Sequence, residues 1–222
     1  MKKRLIFVAI LVNLIFGVQG FSEVTSKNSD KVIEKVIEEY DKGNKQKAMS
    51  MLKENILKNP SNLELKVFLG MMYEDMGKKK EAEKELNEAV ALQKKYPFIG
   101  DDGKKYDIRL IIGNLYASGK EYEKALKWYK EIDDKYMKDV IGLKEYMIGV
   151  SNYALRNPEE AKKYFLKSYI SDKEGDSEDF LGQIYYEEGN HKEALKWYLK
   201  SVEKGNTDTY PNLGIFYINL ND

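Results

Sequence analysis

One short phrase recurs along this chain and limits what it can fold into. It stands as LGMMY at 69–73, IGNLY at 112–116, IGVSNY at 148–153, LGQIY at 181–185 and LGIFY at 213–217. The glycines fall at 70, 113, 149, 182 and 214, in steps of 43, 36, 33 and 32 residues. Self-similarity at such a period means stacked supersecondary units. Each phrase but the last is followed by an alanine: Ala82, Ala125, Ala161 and Ala194. A weaker first copy has Val36 in the glycine's place, then Tyr40, Gly43, Ala48 and Leu52. Between phrase and alanine lie DKGNKQ, DMGKKK, SGKEYE, RNPEE and EGNHKE, all of turn composition. Each unit therefore reads as helix, turn, helix.

Glycine in the first helix and alanine in the second have almost no side chain, so two antiparallel helices can approach closely there. Tyr, Leu and Phe one turn away fill the space beside them. One such pair cannot bury its apolar face alone, so neighbours stack into a continuous core. Local signals agree. Ser61-Asn62-Leu63-Glu64 has capping-box spacing, and Asn157-Pro158-Glu159-Glu160 offers an N-cap, a proline at the first helical position and acids in the first turn. The longest step is explained by KKYPFIGDDGKKYD, which reads as a loop inserted between the second and third units.

The N-terminus obeys different rules. Lys2, Lys3 and Arg4 precede an apolar run from Leu5 to Val12 that resumes from Leu14 to Val18 and closes on Gln19-Gly20 before Phe21. This is the order of a cleavable signal peptide over residues 1–20. The apolar segment is broken by Asn13 and falls short of the roughly 20 residues a spanning helix needs, so an uncleaved anchor is the lesser reading and no stable membrane insertion is expected after cleavage. The chain has no cysteine, which closes the lipoprotein route and leaves stability to packing alone. Residues 21–29 read as a flexible tail. With the leader removed, three of the 37 basic side chains go and all 37 acids stay, for a net charge of about −3. That balance lacks the basic footprint nucleic acid requires.

The L-G-x-x-Y, alanine, aromatic order resembles the tetratricopeptide repeat, whose period is about 34 residues. Ala194, Trp197-Tyr198, Lys200-Ser201, Gly205 and then Leu213-Gly214 and Tyr217 resemble its Sel-one-like subclass. The resemblance covers residues 30–222. It implies an all-α fold, a right-handed α-α superhelix of about five helix-turn-helix repeats plus a final single helix, that binds a protein or peptide.

No catalytic set emerges. The one histidine, His191, lies in the turn EGNHKE, without the positioned nucleophile that a triad needs. Asp101-Asp102-Gly103 lacks the ladder of a calcium loop and reads as a turn. The Trp-Tyr pairs at 128–129 and 197–198 follow the repeat alanine, where core packing is expected. The chain is read as a non-enzyme without cofactor or metal.

In the family it resembles, the first helices of successive units line a concave groove that receives an extended peptide or a helix. Side chains between the seam residues are then the partner-binding candidates: Phe68 and Met71, Asn114, Tyr146 and Val150, and Gln183. A tyrosine four residues after the glycine position recurs as Tyr40, Tyr153 and Tyr186. It suggests either a discontinuous binding column, tyrosine offering rigid area at little entropic cost, or rings packed between units. The leading functional expectation is an exported scaffold, periplasmic or secreted. A wall-associated hydrolase or wall-fragment binder and a self-associating structural protein are the alternatives. In the last helix, Leu213, Phe216, Tyr217 and Leu220 form one apolar stripe and Ile215 and Ile218 another, from which a homodimer through residues 210–220, or a longer array, is expected.

Overall fold

The turn residues punctuate the chain into paired helices much as the repeat predicts. The computed structural model describes residues 27–100 and 102–220. The leader at 1–20 and Asp101 lie outside the described residues. Packing divides the chain into two compact units, one up to Val140 and one from Ile141 onward, where the sequence suggested one domain over 30–222.

The first unit holds three helix pairs: α1 (Lys27–Asp41) with α2 (Lys45–Lys58), α3 (Leu63–Asp75) with α4 (Lys79–Leu92), and α5 (Ile108–Ser118) with α6 (Tyr122–Lys130). The helix begins at Lys27, inside the segment expected to be a flexible tail. The first two pairs share one core, in which Val36, Leu52, Phe68, Leu69 and Met72 are buried together. The N-cap of α3 is Asn62, whose side chain accepts the Leu65 N–H at 3.3 Å, so the cap falls one residue after Ser61.

The inserted loop contains a small hairpin that its turn composition did not suggest. Strand β1 (Phe98–Ile99) pairs antiparallel with β2 (Lys105–Tyr106), and the Phe98 and Tyr106 rings, 6.4 Å apart, cover one side. Asp102 organises the turn by accepting from the Lys104 N–H at 2.9 Å and the Tyr106 hydroxyl at 2.8 Å. Asp107 then caps α5. Fully buried, it accepts from the Arg109 N–H at 2.9 Å, the Arg109 Nη1 at 2.7 Å and the Asp133 N–H at 2.9 Å. That set ties the end of the insertion to the segment after α6.

The second unit holds α7 (Leu143–Ala154) with α8 (Pro158–Ser168), α9 (Asp176–Glu187) with α10 (His191–Glu203), and the single helix α11 (Tyr210–Leu220). Pro158 opens α8 as expected, although the Asn157 side chain makes no cap bond. Phe165, Leu181 and Ile184 are buried in one cluster with Trp197; Tyr198, Leu213 and Phe216 form a second with Ala194. The serine seven residues after the repeat alanine Ala194 has a use of its own. Ser201, fully buried, donates to the Gly175 carbonyl at 2.6 Å and pairs with Thr209 Oγ1 at 2.7 Å. Gly175 has φ 85°, a left-handed conformation that disfavours any side chain.

The repeat glycines act as the sequence logic requires. A Cβ on Gly70 would stand 2.8 Å from Leu86 Cδ2, and one on Gly149 would stand 2.8 Å from Phe165 Cδ1. Tyr129 covers Gly113 and Tyr198 covers Gly182 still more closely. In all four pairs the covering side chain stands four residues after the repeat alanine. Among the described residues no helix is long and apolar enough to cross a membrane.

Candidate functional site

The first helix of each pair carries the candidate side chains, and the two units treat them differently. In the first unit Tyr40, Phe68, Met71 and Asn114 are all buried. Phe68 belongs to the shared core. Asn114 Oδ1 accepts the Tyr129 hydroxyl at 2.7 Å, so its amide is committed to holding the ring that covers Gly113. Tyr40 donates to the Asp75 carboxylate, and Lys45 Nζ, 3.0 Å from Asp75 Oδ2, also lies 4.6 Å from the ring centre. All four side chains are thus enclosed within the first unit, whereas the sequence placed them among groove-facing candidates. The periodicity that selected them marks a helix face without saying how deep it lies.

In the second unit the remaining candidates come together on adjacent first helices. Tyr146, Val150 and Tyr153 follow i, i+4, i+7 spacing on α7, and all are half-buried. Phe180 of α9 stacks on Phe165 at 4.8 Å and meets Tyr146 at 6.1 Å and Tyr153 at 5.4 Å edge-on. The hydroxyl of Tyr153 donates to Glu187 Oε1 at 2.6 Å and lies 3.4 Å from Gln183 Oε1. Burial, followed by the neighbouring Glu187 carboxylate, pushes this hydroxyl up to about 12, so it remains a donor.

A polar row continues from there. Gln183 Nε2 donates to Asp179 Oδ2 at 2.6 Å, and Asn212 Nδ2 of α11 donates to both Asp179 oxygens at 2.9 and 3.0 Å. Asn219 Nδ2 donates to the Tyr186 hydroxyl. The Tyr186 ring packs 5.8 Å from Phe216 and 5.7 Å from His191, so the one histidine sits at the rim of an aromatic cluster as the exposed first residue of α10. Neither α9 nor α11 contains a lysine or arginine. Asp176, in the first turn of α9, is pushed up to about 6, chiefly by burial and then by Asp172 and Glu174. Asn206 Nδ2 donates to it at 2.9 Å.

The three tyrosines of the column share one relationship. Each hydroxyl meets the side chain five residues after the glycine of the next unit: Asp75 for Tyr40, Glu187 for Tyr153 and Asn219 for Tyr186. Aligning the repeats on their glycines places these polar partners in one column beside the tyrosines. The sequence carries this signal as Asp75, Glu187 and Asn219, each five residues after a repeat glycine, a column that the aromatic pattern alone does not reveal. Of the tryptophan–tyrosine pairs, Tyr129, Trp197 and Tyr198 are buried and Trp128 is half-buried.

Two tetratricopeptide repeat models match the chain, over residues 63–96 and 146–209. The first spans α3 and α4; the second runs from α7 to the turn before α11. Among solved structures, a tetratricopeptide repeat protein from Parabacteroides merdae is 22% identical, with 87% of this chain and 73% of that one covered and a TM-score of 0.50. MamA is 22% identical, with 83% and 98% covered and a TM-score of 0.49. A thermophilic tetratricopeptide protein of Thermus thermophilus is 16% identical, with 85% and 98% covered and a TM-score of 0.49. No curated protein matches the chain significantly in sequence.

Proposed function

We infer that this chain, a tetratricopeptide-like repeat protein, is an exported scaffold that holds a protein or peptide partner on the first-helix face of its second unit. One observation carries the reading. Tyr146, Val150, Tyr153 and Gln183 are half-buried and contiguous across α7 and α9, a mixture of rigid rings and amide groups suited to an extended segment or a helix. The hydrogen bonds from Tyr153 to Glu187 and from Gln183 to Asp179 hold that face in one shape before any partner arrives, which lowers the entropic cost of binding. The absence of basic residues on α9 and α11 favours partners that are neutral or basic. Export rests on the basic, apolar and small-residue order of residues 1–20, and the Ala194-to-Tyr217 phrase supports a Sel-one-like build at this end.

The test uses the chain starting at Phe21 as bait in envelope and culture-fluid extracts, beside a Gln183→Arg variant of equal melting temperature. A partner captured by the first and lost from the second is expected. Equal capture by both would remove the face from consideration, and retention of wall fragments alone would favour the wall-binding alternative. N-terminal sequencing of the exported protein is expected to begin at Phe21; a chain that keeps Met1 in the membrane fraction would refute cleavage.

A further inference from the structure

Carboxylates drawn into the body of this chain are as a rule held against a cation. Asp107 has Arg109 at 2.7 Å, Glu85 has Lys66 at 2.9 Å, Glu193 has Lys196 at 2.9 Å, and Glu178 pairs with Lys204. Three carboxylates around the start of α9 depart from this. Asp172 and Asp176 are half-buried and Asp179 is buried, yet among the described residues their partners are all neutral. Asp172 accepts from the Glu174, Gly175 and Ser177 N–H groups, Asp176 from Asn206, and Asp179 from Gln183 and Asn212. Like charges gathered in a partly dry site are costly unless a cation answers them.

These charges stand beside the rings of the α7–α9 face. Burial first, and then Asp176, Asp172, Asp179 and Glu174, push the Tyr146 hydroxyl well above the usual phenol range. At Tyr153 burial and Glu187 lead, and Asp179 acts in the same direction. The basic side chains are placed elsewhere. Lys144 is the one basic residue of α7, α9 and α11, whereas α8 and α10 carry Lys162, Lys163, Lys167, Lys192, Lys196 and Lys200.

Resting on the reading of this face as the partner surface, we propose that its occupant is a peptide segment carrying a lysine or arginine, whose cationic head seats beside Tyr146 against Asp176 and Asp179. The rest of the segment lies along Val150, Tyr153 and Gln183. The docked cation supplies the charge that the fold itself withholds, and an acidic segment is repelled by the same carboxylates. Around Asp176 stand Tyr146 of α7, Asp172 and Glu174 before α9, Asp179 of α9 and Asn206 after α10. Lys204 is committed to Glu178 and to the Tyr169 and Asp172 carbonyls. As pH falls through about 6, Asp176 takes up a proton and its attraction for the cation is lost.

A phage library of random dodecapeptides selected on the immobilised full chain near neutral pH supplies the probes, which are then synthesised with fluorescein and followed by anisotropy. Lysine or arginine is expected in the selected sequences, with affinity falling about tenfold or more when it is replaced by norleucine. Asp176→Asn is expected to weaken binding and to remove the further loss seen between neutral pH and about pH 5. Selected peptides that are uncharged or acidic, yet fail to bind a Gln183→Arg chain, overturn the basic-segment proposal and leave the face as a partner surface. Peptides that bind the Gln183→Arg chain equally, or a library that yields no binder, refute the face and the proposal together. Stabilisation by spermidine that Asp176→Asn abolishes, without enrichment of any basic peptide, makes the occupant a small cation and also overturns the proposal.

Discussion

The hydroxyl of Tyr153 reaches Glu187 Oε1 across 2.6 Å, from the last turn of one first helix to the last residue of the next. The same register joins Tyr40 to Asp75 and Tyr186 to Asn219. These bonds are a repeat-to-repeat latch built from one tyrosine and one polar side chain, and they connect helices that the Gly–Ala seams do not.

Tyr153→Phe keeps the ring against Phe180 and removes only the latch, so a loss of about 0.5–1.5 kcal/mol is expected in denaturant unfolding. Glu187→Ala should cost a similar amount, and the double variant less than the sum. Strict additivity would show that the bond contributes nothing.

Gly149 and Gly214 occupy equivalent places with opposite surroundings. Gly149→Ala drives a methyl against Phe165, which is fully buried and has no room to retreat, at an expected cost of about 1–3 kcal/mol. Gly214→Ala meets open space and is expected to stabilise by about 0.5–1 kcal/mol. Thermal or chemical unfolding of the two variants decides, and effects of the same sign would refute the close-approach argument.

Asp107 holds three donors with a fully buried carboxylate. Asp107→Ala strands the half-buried Arg109 guanidinium and two backbone N–H groups, with an expected cost of about 3–5 kcal/mol. Hydrogen exchange should show first loss of protection at the α5 N-terminus and around Asp133. Uniform destabilisation without that local signature would argue against the capping role.

Burial raises the folded pKa of Asp176 from its ordinary value to about 6, so between roughly pH 4 and 6 the folded chain binds a proton that the unfolded chain has released. Its contribution to stability therefore falls as pH rises through that window, and the penalty is complete above it. Asp176→Asn should raise the melting temperature by about 2 °C near neutral pH and have little effect below about pH 4. A gain that persists at low pH would mean that the carboxylate's charge is not the cause.

The helix pairs, their order, the close-approach glycines and the single last helix were all legible in the sequence. Each depends on local or periodic requirements: a residue without a side chain where two helices touch, a turn every 32 to 43 residues, and one large residue four positions after each alanine. The depth of each candidate side chain was not legible. Tyr40 and Asn114 share helix positions with Tyr153 and Gln183, yet the first two are buried and the second two are half-buried. That difference arises from which neighbouring helices cover the face, and no periodicity within one repeat records it. The hairpin at 98–106 was hidden for a related reason, because its two-residue strands are too short to show alternation and hold together through the Phe98–Tyr106 contact.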